Sequence, residues 1–254
     1  MPINSFLYPA PSLPPAYSVA NSCMFNDGDS ARMHKTPSGS GNRKTWTWSG
    51  WIKRSTLGAE QTFFGAYTGG NDYVVIQFDA DDTLNVTHKH LNASGGSLST
   101  QTKRKITNRK FRDCSAWYSI IVKFDAANTN CDIYVNGTEE TSFSVNEEPE
   151  NLDYAVNHTS IHHIGSFQDS VTGVAVSYFD GYLAEVVLLD GTAASPTSFG
   201  EFDEDSPNIW KPIDVSGLTF GTNGFYLDFE TSDTLGNDAN GGTDFSNNNL
   251  TALD

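Results

Sequence analysis

Two short segments carry the residue types of a calcium-binding loop. Calcium takes about 6 to 8 oxygen ligands, which clustered Asp and Asn side chains and exposed carbonyl groups can supply. Asp-Gly and Asp-Asp pairs are also common in ordinary turns, so both interpretations remain open. The candidate metal ligands are Asn26, Asp27 and Asp29 in the first segment and Asp79, Asp81 and Asp82 in the second.

A third segment has the composition of a carbohydrate-binding loop. Sugar binding requires an exposed aromatic ring beside polar groups that can hold the sugar hydroxyls. A simple hairpin turn or core packing would explain the same residues, so these alternatives also remain. The candidate glycan-binding residues, which surround the Gly69-Gly70 pair, are Tyr67, Asn71, Asp72 and Tyr73.

Histidine and cysteine form no recognisable catalytic or metal-binding motif. The sequence contains neither H-E-x-x-H nor G-x-S-x-G. His162 and His163 are adjacent on a predicted strand, where successive side chains face opposite ways, so they cannot both bind one metal ion. Cys23, Cys114 and Cys131 are an odd set without C-x-x-C spacing, which predicts buried free thiols.

The elements that position these residues are predicted to be β-strands. From Ser22 onward, short apolar runs are bounded by Gly, Asn, Asp and Ser at the spacing of an all-β domain. Helical periodicity is nearly absent, and a short helix or 3₁₀ turn is expected only at residues 195–202, which a Ser-Pro pair opens. The predicted strands include 45–53, 97–106, 116–125 and 176–189.

Side-chain alternation assigns faces to some of these strands. Trp46 and Trp48 share one face, which we expect to be the core, and Gly50 permits a bulge or a close backbone approach. Asn136-Gly137 predicts a type I′ hairpin turn, because both positions tolerate a positive φ. The residues of the strand at 116–125 that point to one side are Tyr118, Ile120, Val122 and Phe124.

The first 20 residues are expected to form an extended arm. Five prolines lie within residues 1–15, and proline cannot donate a ladder hydrogen bond. The arm also carries apolar side chains that a solvated linker would not need, so we expect it to dock on its own domain or on a neighbouring subunit. Residues 1–6 lack the basic and apolar regions of a secretory signal, and no stretch approaches the roughly 18 apolar residues of a membrane span, so neither export by that route nor membrane insertion is expected.

Composition and charge limit the possible functions. The chain has 254 residues, of which 37% are hydrophobic, enough for one sizeable core. Residues 1–124 carry 14 Lys or Arg and 8 Asp or Glu, whereas residues 125–254 carry 1 and 23. The basic run at 103–112 is therefore expected beside acidic loops of the same or an adjacent subunit. Nucleic-acid binding is not expected, because the net charge of −16 opposes contact with phosphates.

Four ordered segments in the second half of the chain resemble a known superfamily. They are AWYSIIVKFD at 116–125, IYVNG at 133–137, IGS at 164–166 and FDGYLAEV at 179–186. Together they resemble the concanavalin A-like lectin/glucanase superfamily, and most closely its laminin G and pentraxin-type members. The resemblance covers about residues 22–230. It implies an all-β, antiparallel two-sheet β-sandwich, the concanavalin A-like jelly roll, and in laminin G relatives it is associated with calcium at the rim.

Further segments resemble the laminin G-like jelly-roll proteins of tailed, often marine, bacteriophages. They are FNDGD at 25–29, TWTWSGWIKR at 45–54, SFGEF at 198–202, WKP at 210–212 and GTNGFYLDF at 221–229. This resemblance implies a virion fibre or appendage subunit, assembled in the host cytoplasm. Such a subunit would attach to other virion proteins through its arm, form a homo-oligomer with a trimer favoured, and adsorb to host-surface glycans.

The resemblance also suggests how the chain is divided. We expect a docking arm at residues 1–20, a jelly-roll domain at 21–232, and a polar Gly/Asn-rich tail at 233–254. In the phage proteins the segment like this tail commonly continues, so a further segment beyond Asp254 is expected.

Catalysis is not expected from the carboxylates. The β-glucanase relatives of this fold carry E-x-D-x-x-E on one strand, where alternate side chains share a cleft. The nearest candidates here, Glu185 and Asp190, are five residues apart, which places them on opposite faces of a regular strand. The sequence thus predicts a noncatalytic virion protein without a certain cofactor. A free carbohydrate-binding lectin and, less favoured, a glycoside hydrolase remain as alternatives.

Overall fold

Short apolar runs separated by turn residues form 19 strands in the described part of the chain, which also contains four 3₁₀ turns of three residues each. The computed structural model describes residues 17–69, 72–94, 97–168 and 175–254. The strands are β1 (Cys23–Phe25), β2 (Arg32–Lys35), β3 (Thr45–Arg54), β4 (Gln61–Gly69), β5 (Asp72–Phe78), β6 (Thr83–Ser94), β7 (Ser97–Lys110), β8 (Tyr118–Asp125), β9 (Asn130–Val135), β10 (Thr138–Glu139), β11 (Phe143–Asn146), β12 (His162–Ile164), β13 (Phe167–Gln168), β14 (Ala175–Val176), β15 (Gly181–Asp190), β16 (Gly200–Phe202), β17 (Trp210–Pro212), β18 (Phe225–Leu227) and β19 (Ser246–Asn248).

The strands form two large antiparallel sheets. The first sheet has the order β1-β15-β3-β8-β9-β10, with β18 also paired to β15, and the second has the order β11-β7-β6-β5-β4-β12-β2-β19. Two small hairpins, β13-β14 and β16-β17, lie outside them. The fold is the antiparallel two-sheet sandwich of the jelly-roll type that the sequence predicts. The 3₁₀ turn at Pro196–Ser198 falls within the expected stretch, and none of the helical turns in the described segments could cross a membrane.

The main core fills the space between the two sheets. Trp46 and Trp48 are fully buried there, and the Trp46 ring stacks on Phe124 with centroids 4.7 Å apart. Gly50 leaves room for the Trp48 indole, which would lie 2.7 Å from an added Cβ. Asn136 and Gly137 have φ values of 49° and 74°, as the predicted turn requires. The predicted alternation in β8 is confirmed, with Ile120, Val122 and Phe124 in this core and Tyr118 packed against it.

A second apolar layer covers the outer face of the first sheet. It is built on Ile121 of β8 and on Val187 and Leu189 of β15, and the chain at 191–220 supplies Phe199, Trp210 and Phe220 above them. Strand β15 is consequently buried on both faces, which explains its nearly continuous apolar sequence.

The described end of the arm contacts its own sandwich. The Tyr17 hydroxyl donates to Glu185 Oε2 at 2.9 Å and lies 3.2 Å from the Tyr226 hydroxyl. Residues 1–16, which carry the prolines, lie outside the described residues.

The basic run at 103–112 is paired with acidic groups of the same chain, as expected. Its partners are on the segments that pack beside β7, and the ion pairs are Lys103–Glu150, Lys105–Glu148, Arg109–Glu140, Lys110–Asp81 and Arg112–Asp82.

The structure corrects three sequence expectations about element boundaries. Strand β7 continues to Lys110, and the strand expected at 176–189 is divided into β14 and β15, with an irregular stretch at 177–180. Residues 233–254 are not a separate tail: β19 pairs with β2, and Leu235 and Phe245 are buried in the core. Their apolar residues are too sparse among Gly, Asn and Asp to signal this packing.

Two of the three thiols are buried as expected, and the adjacent histidines of β12 face different partners. Cys23 and Cys131 are free and buried, while Cys114 is free but only partly buried. In β12, Ile164 belongs to the core, and the His162 and His163 side chains have different partners: His162 Nδ1 contacts Ser160 O, whereas His163 Nδ1 contacts the Ser166 hydroxyl.

His88 is a buried, neutral side chain whose replacement tests the acid stability of the core. Its ring lies between Phe124 and Tyr154, and neither ring nitrogen has a partner among the described residues. Burial, with the charges of Lys105 and Lys103, lowers its pKa to about 3. Because the unfolded chain binds a proton that the folded chain excludes, stability falls as the pH drops from about 6.5 towards 3.

We therefore expect His88→Phe to have the wild-type free energy of unfolding at pH 7. Between pH 7 and pH 4 the decrease in its free energy of unfolding should be smaller than that of the wild type by on the order of 3 kcal/mol. Urea unfolding across this pH range measures the effect. An unchanged slope in His88→Phe would contradict the assignment.

Candidate functional site

A groove of about 350 Å³ lies on the outer face of the second sheet. Outward-facing residues of β5 and β6, together with Asp79 just after β5, form its floor, because alternate side chains of a strand share a face. The small β13-β14 hairpin supplies one wall. The floor contains Val75, Gln77, Asp79, Asn85 and Thr87, and the walls contain Glu60, Tyr73, Thr102, Arg104 and Phe167.

Aromatic rings form one wall of the groove. The Tyr73 and Phe167 rings are tilted at 57° with centroids 5.1 Å apart, and Tyr67 meets Phe167 edge-on at 6.3 Å. Phe167 can approach the sheet because an added Cβ on Gly65 would lie only 3.0 Å from its ring. Tyr73 and Phe167 are each only partly buried, so ring surface remains accessible.

Hydrogen bonds hold the polar floor in a fixed arrangement. The Asn85 amide donates to both carboxylate oxygens of Asp79 at 3.0 Å, and the Gln77 amide donates to Asp79 Oδ1 at 2.8 Å. The Thr87 hydroxyl donates to Asn85 Oδ1 at 2.8 Å, and the Thr62 hydroxyl to Gln77 Oε1 at 3.2 Å. These contacts orient the amides, so a bound molecule would meet pre-positioned donors and acceptors.

Two exposed charged side chains stand beside the aromatic wall. Burial raises the pKa of Tyr73, the nearby Arg104 charge opposes this, and the Glu60 charge adds to it. Glu60 accepts a hydrogen bond from the Ser177 hydroxyl at 2.7 Å. The Arg104 guanidinium has no hydrogen bond or ion pair within the described part of the chain, so its N–H groups are available.

The structure brings together part of the glycan site expected from the sequence. Tyr67 and Tyr73 are opposite each other on β4 and β5, near Phe167. Asp72 is instead buried between His90 Nδ1 at 3.2 Å and Arg43 Nη2 at 4.0 Å. Burial raises the pKa of this carboxyl group, against the charges of His90 and Arg43. Asn71 lies outside the described residues.

Most residues of the groove could not be recognised from the sequence. Gln77, Asn85 and Thr87 lie on strands whose inward residues are apolar, so the polar half of the alternation indicates an outward face but not a groove. Phe167 is about 90 residues from Tyr73 in the chain, and only sheet topology brings the rings together. Arg104 belongs to the basic run, but its guanidinium has no acidic partner among the described residues.

Structure at the second candidate calcium segment favours the turn interpretation. Asp82 is bound by arginines: Arg54 Nη1 lies 3.2 Å from Oδ1 and Arg112 Nε lies 2.8 Å from Oδ2. Asp81 accepts from the Thr83 hydroxyl and from Lys110, and Asp79 is held by groove amides. Carboxylates already bound to cations and amides are poor ligands for a further cation.

The first candidate calcium segment is also a hydrogen-bonded turn. Asn26 Oδ1 accepts from Gly28 N at 3.0 Å, and Asn26 Nδ2 donates to Asp29 Oδ2 at 2.7 Å. Asp27 and Asp29 are exposed in the 3₁₀ turn Asp27–Asp29. Across residues 17–69, 72–94, 97–168 and 175–254, no three His, Cys, Asp or Glu side chains are grouped so as to hold a metal ion. Calcium binding therefore remains a prediction that neither segment's geometry favours.

Glu185 and Asp190 do not share a cleft. Glu185 accepts from the Tyr226 hydroxyl at 2.7 Å on the outer face of the first sheet, whereas Asp190 accepts from Asn42 N at 2.7 Å and Asn223 N at 3.0 Å. The spacing argument assumed a regular strand, but β15 is irregular. Its register with β3 shifts between Ala184 and Val187, and Glu185 has a φ of 51°. This one-residue bulge aims Glu185 outward. Burial raises the pKa of Glu185, while the tyrosine hydrogen bonds lower it.

The sandwich and its groove define a protein with lectin-like architecture. The family model Laminin_G_3, described as concanavalin A-like lectin/glucanases superfamily, matches residues 27–197. The chain therefore belongs to the concanavalin A-like lectin/glucanases superfamily. No curated protein matches the sequence significantly.

Comparison with solved structures agrees with this fold. A protein from Bacteroides ovatus ATCC 8483, provisionally described as carbohydrate-binding, matches with a TM-score of 0.59 at 16% identity, over 91% of this chain and 58% of that one. The heptameric SAP-like pentraxin of Limulus polyphemus matches with a TM-score of 0.49 at 16% identity, over 71% of this chain and 81% of that one. Domains LG4-5 of the mouse laminin α1 chain match with a TM-score of 0.47 at 11% identity, over 82% of this chain and 47% of that one. This chain thus spans little more than half of the Bacteroides protein.

Asp82 provides a test of the structural interpretation of its segment. The Arg54 side chain is fully buried, donates to Phe111 O at 2.8 Å, and lies 4.4 Å above the Phe78 ring. Burial raises the pKa of Asp82, but the hydrogen bonds from Arg112 and Gly58 and the charge of Arg54 leave it below the ordinary value. The ion pair thus adds stability above about pH 4, and this stability is lost as the pH falls through the lowered pKa.

We expect Asp82→Asn, which keeps the size and tolerates the φ of 71°, to cost about 3 kcal/mol because it leaves a buried cation unpaired. Asp81→Asn, at an exposed position, should cost at most about 1 kcal/mol. Urea unfolding at neutral pH measures both variants, with and without excess calcium. Equal losses, or wild-type stability that rises with calcium and no longer does so in the variants, would instead support a metal site.

Proposed function

We propose that this chain is a noncatalytic carbohydrate-binding protein and that the groove of the second sheet holds the glycan. The observation that carries the proposal is the accessible Tyr73-Phe167 wall beside a floor of fixed amide and hydroxyl groups. A sugar ring has an apolar face that can lie on an aromatic ring, and hydroxyls that need oriented partners. The groove provides both in one place.

Each part of the groove has a distinct task in this proposal. Tyr73 and Phe167 contact the apolar face of the sugar. The hydroxyl and amide groups of Thr87, Asn85 and Gln77 discriminate among hydroxyl positions, because their orientations are fixed by Asp79. Arg104 offers N–H donors beside the aromatic wall, and it has no ion pair to break among the described residues. Since little reorganisation precedes binding, little ordering free energy is lost.

A second candidate function, glycoside hydrolysis, is favoured by one observation. Two carboxylates, Glu60 and Asp79, line the same groove, and paired carboxylates are the usual catalytic groups for this reaction. Against it, Asp79 accepts three hydrogen bonds from the amides of Gln77 and Asn85, which fit it for orienting the floor. We therefore favour binding over hydrolysis.

We further propose that the chain acts in a bacteriophage particle, as a fibre or appendage subunit that adsorbs to host-surface glycans. The support is the ordered set of phage-like motifs in the sequence, together with a Pro-rich arm suited to attachment. Homo-oligomerisation, with a trimer favoured, belongs to the same proposal. Peptide mass spectrometry of purified virions and electron microscopy with a specific antibody test the location. Recovery of the chain only outside particles would favour a free lectin.

Glycan-array binding of the full chain tests the groove. We expect Tyr73→Ala to weaken binding to the best glycan about tenfold, because it removes half of the aromatic wall. Tyr73→Phe, which keeps the ring, should retain most of the affinity. Arg104→Ala should also weaken binding, whereas Arg109→Ala, on the same strand but paired with Glu140, should not.

Matched controls separate loss of the site from loss of the fold. Tyr182→Ala lies on β15 of the other sheet and should leave glycan binding unchanged. Mass spectrometry of the glycan after incubation should show no cleavage. Released sugar that disappears in both Glu60→Gln and Asp79→Asn would replace the binding proposal with hydrolysis. Equal binding by Tyr73→Ala and wild type would exclude this groove as the site.

A further inference from the structure

A second cavity, of about 420 Å³, lies on the outer face of the first sheet, away from the groove. We call it the tryptophan cavity, since Trp51 of β3 and Trp117, just before β8, contribute two half-buried indole rings. Ala184, Pro212 and the chain at 17–22 complete its lining. Its volume lies within the range of about 300–1,000 Å³ that is usual for ligand sites.

Among the residues that the structure describes, none with a charged side chain lines the tryptophan cavity. This is unusual on a chain with a net charge of −16. An occupant of the cavity therefore needs no charge of its own, and a charged occupant would lose hydration without gaining an ion pair. The lining favours an uncharged, partly apolar partner.

The two indoles offer both ring surface and hydrogen-bond donors. Neither the Trp51 nor the Trp117 N–H has a hydrogen-bond partner in the described part of the chain. By contrast, Trp210 Nε1, in the apolar layer above the same sheet, donates to the Ser119 hydroxyl at 3.2 Å. Paired aromatic rings with free N–H donors suit proline-rich segments, whose rings pack on aromatic side chains and whose carbonyl groups are unpaired.

The chain itself contains such a segment. Residues 1–16 have no Asp, Glu, Lys or Arg, and four prolines fall within residues 9–15. The segment meets the described structure at Tyr17, which lines the tryptophan cavity. Its composition matches the uncharged lining of the cavity.

The anchor at Tyr17 favours a segment from another copy over the chain's own. Tyr17 is fixed by Glu185 and Tyr226, and residues 17–22 already form one wall of the cavity. A segment of another copy can enter the cavity without turning back over this wall. Two copies that each carry −16 repel one another, and an uncharged arm can bridge them.

We propose that the tryptophan cavity binds the Pro-rich segment 9–15 of a second copy of this chain. Copies exchange arms, and each arm packs its prolines between Trp51 and Trp117 of its neighbour. This contact is independent of glycan binding, because the groove lies on the other sheet.

Light scattering of the full-length chain over a range of concentrations tests the proposal. The wild type should form an oligomer. Trp117→Ala, a cavity variant, and Leu13→Asp, an arm variant, should each associate about thirtyfold more weakly, as expected for loss of a hot-spot contact. The matched control is Ile209→Ser, an apolar residue that is 58% exposed and lies outside the cavity, and it should associate like the wild type. Unchanged glycan binding shows that each variant is folded.

Two further measurements identify the occupant. An equimolar mixture of Trp117→Ala and Leu13→Asp should regain association, because the intact arm of one can enter the intact cavity of the other. A synthetic peptide of residues 1–16 should lower the mass of the wild-type oligomer. A monomeric wild type, variants that associate normally, or a peptide without effect would each overturn the proposal. So would variants that remain apart on mixing, because the arm would then occupy its own cavity.

Discussion

Burial of β15 on both faces is the constraint on which the rest of the structure depends. One face belongs to the core between the sheets, and the other supports the layer formed by Val187, Leu189, Trp210 and Phe220. The first sheet is thereby covered over most of its outer face, at an apolar gain of about 25 cal/mol for each Å² buried. The second sheet has no comparable layer among the described residues, so its outer face is where a groove can open. Coverage of most of one sheet and exposure of the other give the molecule one largely covered face and one open face.

The arrangement of charge follows the same division. The basic run of β7 is neutralised by acidic groups on the segments beside it, so that the sign imbalance between the halves of the chain largely disappears where they meet. Arg104 stands out because it is surrounded by this pairing without taking part in it. A cation kept free among paired neighbours is most easily understood as a contact for something outside the chain.

Much of the sandwich could be predicted from the sequence, because period-two alternation and the Asn136-Gly137 turn are local signals. The buried faces of β3 and β8 and the opposed histidines of β12 follow from these signals, whereas the superfamily is indicated by the resemblance of four ordered motifs. The groove could not be predicted in the same way. Its aromatic wall joins β5 to a hairpin far along the chain, and its floor depends on which face the second apolar layer leaves open. Asp82 is a second example of this limit. Its sequence context resembles a metal-binding loop, but its partner Arg54 is 28 residues away at the end of β3. Only the packing of the two sheets brings the two side chains together.

The bulge at Glu185 has a consequence for how this chain can vary. One extra residue on β15 reverses the phase of the strand, so that Leu183 and Val186 both point inward although they are three positions apart. Inward-pointing residues therefore have odd numbers before the bulge, as at Leu183, and even numbers after it, as at Val186 and Leu188. A family member that lacked this residue would have to exchange the inward and outward residues along one half of the strand. A change in the length of β15 therefore requires a change in its sequence pattern, whereas a change in the length of a loop does not.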